Sequence, residues 1–113
     1  MRENVQPQRI SFHDSGIVSV RREDGTIVLD LENVTAEDGM RNASVRLMGV
    51  LTIICDGKIV DDFVPVYEDG EILTLEHTEN TAHLIVDWTD FKKHQNQTRS
   101  YEITCASIKV ETH

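Results

Sequence analysis

The chain is poor in the residues that most often announce a function. Of its 113 residues, only two are cysteines, Cys55 and Cys105. Each lies in an apolar stretch, outside any C-x-x-C or Cys/His cluster, which leaves no structural zinc site to propose. Both are expected to be free, buried thiols. Aromatic residues are scarce as well: three Phe, two Tyr and one Trp, too few for a platform on which bases or sugars would stack. The six glycines form no phosphate-cradling loop, and the G-x-S-x-G elbow of a serine nucleophile is absent. No apolar run reaches the roughly 18 residues of a membrane span. The longest, Leu47 to Cys55, is broken by Gly49 and Thr52. The opening MRENVQPQR has no apolar segment of the secretory type, so the expected location is the cytosol. The three N-x-S/T sequons, at Asn33, Asn42 and Asn96, then carry no glycan.

Positive charge is also in short supply. Eleven Lys and Arg face twenty Asp and Glu, a formal net charge of −9. Such a surface repels phosphate backbones and excludes nucleic acid as the expected partner. Acidic clusters at Glu37-Asp38, Asp61-Asp62 and Glu68-Asp69-Gly70-Glu71 suit a solvated surface or one that meets a basic protein.

What the chain does have is hairpins. The length sets a single domain, residues 1–113, with residues 1–8 expected to fray and Pro7 just ahead of the first strand. From Ile10 to Val34 the sequence reads as a strand, a kink at His13-Asp14-Ser15-Gly16, and a hairpin turning at Asp24-Gly25, both of which tolerate φ > 0. This register sets Glu23 opposite Thr26, Val20 opposite Leu29 and Val18 opposite Leu31, with Ser19, Arg21, Val28 and Asp30 on the other face. Thr35 to Gly39 is a polar break with room for one helical turn. Ala43 to Cys55 is apolar on one side at first and on both later, as in a strand covered twice or twisting between layers.

Asp56-Gly57 predicts a second hairpin, with Ile54 opposite Ile59 and Val50 opposite Phe63. Asp69-Gly70 predicts a third, with Val66 opposite Leu73 and Val64 opposite Leu75. A loop at Thr78–Thr81 then sets Leu75 against Leu84 and Leu73 against Val86. These registers collect Val64, Val66, Leu73, Leu75, Leu84, Val86 and Trp88 on one face, with Trp88 in the core. Thr89–Gln97 is a loop or short helical turn. The last strand, Tyr101–Val110, changes parity and predicts a bulge near Cys105-Ala106. The spacing implies an all-β fold, an antiparallel sandwich or flattened barrel of about eight strands with at most one helical turn. Edge strands of such a fold offer a route to self-association.

The polar groups that fit a site are His13, Asp14, Glu76 and His83. His83 is expected opposite Glu76, a pair that either orients a general base or simply forms an exposed cross-strand contact. For His13-Asp14-Ser15 the expectation is structural, with Asp14 accepting hydrogen bonds from the amides just downstream. No residue set requires a cofactor or a metal, and no catalytic residues are assigned.

Phe12-His13-Asp14-Ser15, followed by a hairpin ending in Leu29, Leu31 and Val34, resembles the opening of several small bacterial β-domain families. Some of these are similar to immunity proteins, which bind and neutralise a cognate toxin. The resemblance covers residues 10–34 and carries no site residue or partner with it. Together with the acidic charge, it makes a non-catalytic binding module for a basic protein the leading expectation. A small-ligand binder or enzyme using a polar site at one end of the sandwich is the alternative.

Overall fold

The computed structural model describes residues 10–113; the fraying expected of residues 1–8 lies outside them. The chain is all-β. Its strands are β1 (Ile10–Ser11), β2 (Ser15–Glu23), β3 (Thr26–Ala36), β4 (Gly39–Cys55), β5 (Lys58–Val60), β6 (Asp69–His77), β7 (Thr81–Asp90) and β8 (Gln95–Thr112). All pairings are antiparallel, in the order β1-β3-β2-β6-β7-β8-β4-β5. A further β3–β4 ladder closes β2, β3, β4, β8, β7 and β6 into a six-stranded barrel, with β1 and β5 as short additions. Closure abolishes most sheet edges.

The hairpins at Asp24-Gly25 and Asp56-Gly57 form as the dipeptides dictate. Asp24 and Asp56 have φ of 46° and 50°, and their glycines 79° and 83°, the left-handed pair of a two-residue turn. Glu23 faces Thr26, Val20 faces Leu29, and Ile54 faces Ile59 as expected. Four other expectations shift. A bulge between Ile17 and Ser19 puts Ile17, not Val18, opposite Leu31, and Val18 points to solvent. β5 stops at Val60, so Val50 never meets Phe63; Phe63 instead turns into the core. Leu73 falls at a bulge, and Ile72 takes its place opposite Val86. The break at Thr35–Gly39 holds no helical turn, because Ala36 pairs directly with Gly39 across Glu37-Asp38.

The third hairpin does not exist. Asp69-Gly70 lies inside β6, residues 61–68 are irregular, and Val64 is exposed. Gly70 serves packing rather than a turn: it is the ladder partner of Trp88, whose indole lies across it. Trp88 is in the core as expected, donating from Nε1 to the Tyr101 hydroxyl at 2.9 Å. Phe63 joins them, 4.5 Å from the Tyr101 ring and 6.3 Å from that of Trp88, centroid to centroid. Burial chiefly pushes the Tyr101 phenol pKa up. The barrel interior is filled by Leu29, Leu31, Val45, Leu47, Ile72, Leu84, Val86 and Ile103 around this aromatic group.

β4 and β8 are the long strands of the barrel. β4 pairs with β3 through its first half and with β8 from Ala43 onward, the twisting strand its apolar pattern implied. It bends at Gly49 (φ 64°), where a Cβ would lie 2.9 Å from that of Ala106. The register slips between Val50 and Thr52, across from Cys105. Beside it, the buried set Tyr101, Ile103 and Cys105 gives way to half-buried Ile108 and Val110, the expected change of parity. Both cysteines are free; Cys105 is buried and Cys55 half-buried. Thr89–Gln97 holds no helix: its two ends pair within β7 and β8, and residues 91–94 make the connection, where the Asp90 carboxylate accepts from the amides of Lys92 and Lys93.

Candidate functional site

The kink at residues 12–15 separates β1 from β2, and with them opens a seam in the barrel. β2 and β6 pair only from Ser15–Ile72 to Ile17–Gly70, after which β1 continues along β3 and leaves β6. Asp14 takes the left-handed conformation (φ 66°) and donates its amide to the Ile72 carbonyl at 2.8 Å. Ser15 locks the turn: its amide and its hydroxyl both donate to the Phe12 carbonyl, at 3.0 and 2.6 Å. The expectation for Asp14 is therefore corrected. Its carboxylate is exposed and lies beside His13 at 3.5 Å, while fully buried Ser15 satisfies the turn. A carboxylate turned outward avoids the desolvation that an inward one would suffer.

Where β1 and β6 part, a cleft of about 360 Å³ is lined by Ile10, Phe12, His13, Leu73, Leu75 and Glu76, among others. Phe12 and Leu75 are nearly fully buried at its base. His13 Nδ1 donates to the Leu73 carbonyl at 2.6 Å, since a carbonyl can only accept. That bond raises the His13 pKa, and the nearby carboxylates of Asp14 and Glu71 raise it further. An imidazole so held is biased toward its cationic form.

Of the four residues singled out in the sequence, His13 and Glu76 line this cleft and Asp14 stands next to it. His83 is opposite Glu76 in the β6–β7 ladder as expected. It is also opposite Glu102 of β8, with Nε2 3.6 Å from that carboxylate. His83 thus belongs to the barrel's outer face rather than to the cleft.

A second constellation was only half visible in the sequence. On the outer face of β2, β3 and β4, Asp30 accepts from Ser19 Oγ (2.6 Å), Arg21 Nε (2.6 Å) and Nη2 (3.1 Å), and Ser44 Oγ (2.9 Å). These bonds, that of Arg21 foremost, hold its carboxyl far below the usual range. Ser44 Oγ also meets His113 Nε2 at 3.0 Å. Its proton is committed to Asp30, and it sits mid-strand with its neighbours in ladders on both sides, where backbone amides are already used. The group stabilises the strands rather than poising a nucleophile. The adjoining Val28, expected on the polar face, does lie there, yet it is fully buried; its ladder partners are Arg21 and Arg46, residues whose long aliphatic stems can shield an apolar neighbour. The sequence signal was the set Ser19, Arg21 and Asp30; Ser44, Arg46 and His113 come from strands whose pairing no local pattern reveals.

Charge is unevenly neutralised over the barrel. Every arginine among the described residues is ion-paired within the chain. Arg21 pairs with Asp30 and Glu23, Arg22 with Asp62, Arg41 with Asp38, Arg46 with Glu23 and Glu111, and Arg99 with Asp56. On β6 and β7, by contrast, Glu71 and Asp87 stand directly across from each other. Glu32 reaches the same row, because Gly16 between it and Glu71 has no side chain. No ion pair to an arginine or lysine neutralises Glu32, Glu71, Glu76 or Asp87 among the described residues; Asp87 accepts only from Asn96 and Thr98.

Among the described residues, no group of three or more His, Cys, Asp or Glu side chains is placed to hold a metal ion, and no helix is long and apolar enough to cross a membrane. No protein-family model, no curated protein and no solved structure matches the chain.

Proposed function

We propose that this protein is a non-catalytic binding module whose acidic face, carried by β6 and β7 with Glu32 at its margin, receives a basic protein partner, in the manner of an immunity protein with its toxin. One observation carries the reading: the arginines among the described residues are consumed in ion pairs, while on β6 and β7 like charges are left facing each other. Directly opposed carboxylates destabilise a ladder, so a face that keeps Glu71 against Asp87 gives up stability that a cationic partner would restore. Unpaired surface charge of one sign also steers encounter with the opposite sign.

The test is affinity capture at low salt from the cell that makes the protein. Binding of the purified captured protein is then remeasured with wild type and with Glu71→Gln/Asp87→Asn. A basic partner whose affinity falls with salt and falls again in the double variant supports the proposal. Capture of no basic protein at low salt, or binding indifferent to both changes, sinks it.

A second reading has its own observation: His13 and Glu76 line one cleft. A small ligand with both an anionic and a cationic group fits that pair. Shifts of the His13 and Leu73 resonances on addition of compounds of this class would favour it over the protein-binding reading.

A further inference from the structure

Among the described residues, several strand edges stay open where the ladders end, and the C-terminal part of β8 is one of them. β8 pairs with β7 only from Gln95 to Thr104. The loop before β7 then caps the next step, with Cys105 N donating to the Asn80 carbonyl and Asn80 Nδ2 donating to the Ala106 carbonyl. From Ser107 to Thr112, β8 has β4 on one side and no strand on the other among the described residues. The direction of its backbone groups follows from one bond. His113 N donates to the Asn42 carbonyl at 2.8 Å, so the odd-numbered residues turn their N–H and C=O groups toward β4. By alternation, those of Ile108, Val110 and Thr112 point outward. The side chains of Ile108 and Val110 lie half-buried against the core, and Lys109 and Glu111 are on the outer face with Arg46.

We propose that this edge binds a second copy of the chain, β8 against β8, antiparallel about Val110. In that register Val110 exchanges both backbone hydrogen bonds with its own equivalent, and Ile108 does so with Thr112. Lys109 of each copy lies directly across from Glu111 of the other. A single charged residue on an exposed strand normally blocks pairing of this kind. The alternation Lys109-Val110-Glu111 does the opposite, because a two-fold axis through Val110 converts the two charges into two cross-strand ion pairs. The inward-facing Ile108 and Val110 of each copy then cover those of the other, extending the apolar face that the open edge leaves half-exposed. The inference is independent of the acidic face on β6 and β7.

Sedimentation equilibrium over micromolar to millimolar protein, at physiological salt, tests it; general repulsion between two acidic copies is then screened beyond about 8 Å. Wild type is expected to dimerise. Lys109→Glu alone and Glu111→Lys alone set like charges opposite each other twice, and each should weaken self-association about tenfold or more. Mixed together, the two variants should form a heterodimer at least as tight as wild type, since each copy then supplies one sign. Val110→Pro deletes an N–H that β4 does not use, and should abolish the dimer while leaving the far-ultraviolet circular dichroism of the barrel unchanged. A wild type that stays monomeric throughout the range overturns the proposal. So does a mixture no tighter than its components, or a folded Val110→Pro protein that dimerises as wild type does.

Discussion

Gly70 lies beneath the ring of Trp88, so close that a Cβ on residue 70 would sit 2.5 Å from the indole Cζ3 and 2.8 Å from Cε3. The neighbouring atoms belong to a rigid, fully buried ring that also donates to Tyr101, so little can give way. Gly70→Ala is expected to destabilise the barrel by about 1–3 kcal/mol through overpacking. Chemical denaturation should show it, with an altered near-ultraviolet spectrum reporting the displaced Trp88. Stability equal to wild type would mean that the ring has room to move.

Asp30 should make the protein acid-sensitive. Its folded-state pKa is depressed, so the stability it contributes is present above the unfolded value of about 3.9 and is lost as pH falls toward the folded value. At pH 7, Asp30→Asn should cost about 1–3 kcal/mol, since Arg21, Ser19 and Ser44 lose a charged acceptor. Below about pH 4 the difference from wild type should narrow. Unfolding free energies of the two proteins, measured from neutral to acid pH, check both statements; a gap independent of pH would refute them.

At the kink, Asp14 and Ser15 should respond differently. Asp14 occupies a left-handed backbone conformation with an exposed side chain, so Asp14→Gly should leave stability unchanged or raise it, whereas Asp14→Ala should cost about 1 kcal/mol. Ser15 is fully buried, and Ser15→Ala removes a hydrogen bond to the Phe12 carbonyl at a cost of about 1–2 kcal/mol. Thermal melts of the three variants beside wild type separate the two roles. An Asp14→Gly protein that loses as much as Ser15→Ala would show that the carboxylate itself holds the turn.

His13 should titrate above the ordinary histidine value, chiefly because its Nδ1–H is held by the Leu73 carbonyl. Asp14→Asn and Glu71→Gln should each lower its pKa without removing the elevation, since the carbonyl remains. A pH titration of the His13 ring by NMR reads this directly. Coincidence of the Asp14→Asn value with that of a free histidine would show that the carboxylate, not the carbonyl, is the main cause.

Much of the strand pattern was legible, and the exceptions are instructive. Asp24-Gly25 and Asp56-Gly57 make the turns that their local chemistry favours. Asp69-Gly70, the same dipeptide, does not, because residue 70 has a tertiary task beneath Trp88 that outweighs turn propensity. Local signals also placed Leu75 against Leu84 and Glu76 against His83. They failed by one residue at Val18 and Leu73, where bulges between Ile17 and Ser19 and between Ile72 and Thr74 reset the register. Bulges bend strands so that a sheet can close, and closure depends on both ends of the chain together. The four polar residues singled out, His13, Asp14, Glu76 and His83, all lie outside the buried core. That His13 and Glu76 share a cleft was not visible, because residues 13 and 76 meet only across the β1–β6 seam.

By itself the sequence determined the things that depend on neighbours in the chain: an all-β fold, two hairpins with the register beside their turns, a kink after Phe12, and a large excess of negative charge. Turn conformation and strand alternation are set by φ preferences and by the apolar or polar character of adjacent residues, so they can be read locally. Only the tertiary structure decided that β2 meets β6 and β3 meets β4 to close a barrel. It alone decided that Phe63 fills that barrel beside Trp88 and Tyr101, and that the described arginines spend their charge in ion pairs while Glu71 and Asp87 confront each other. Those outcomes arise from contacts between residues far apart in sequence, where shape and burial, not local propensity, select the partner.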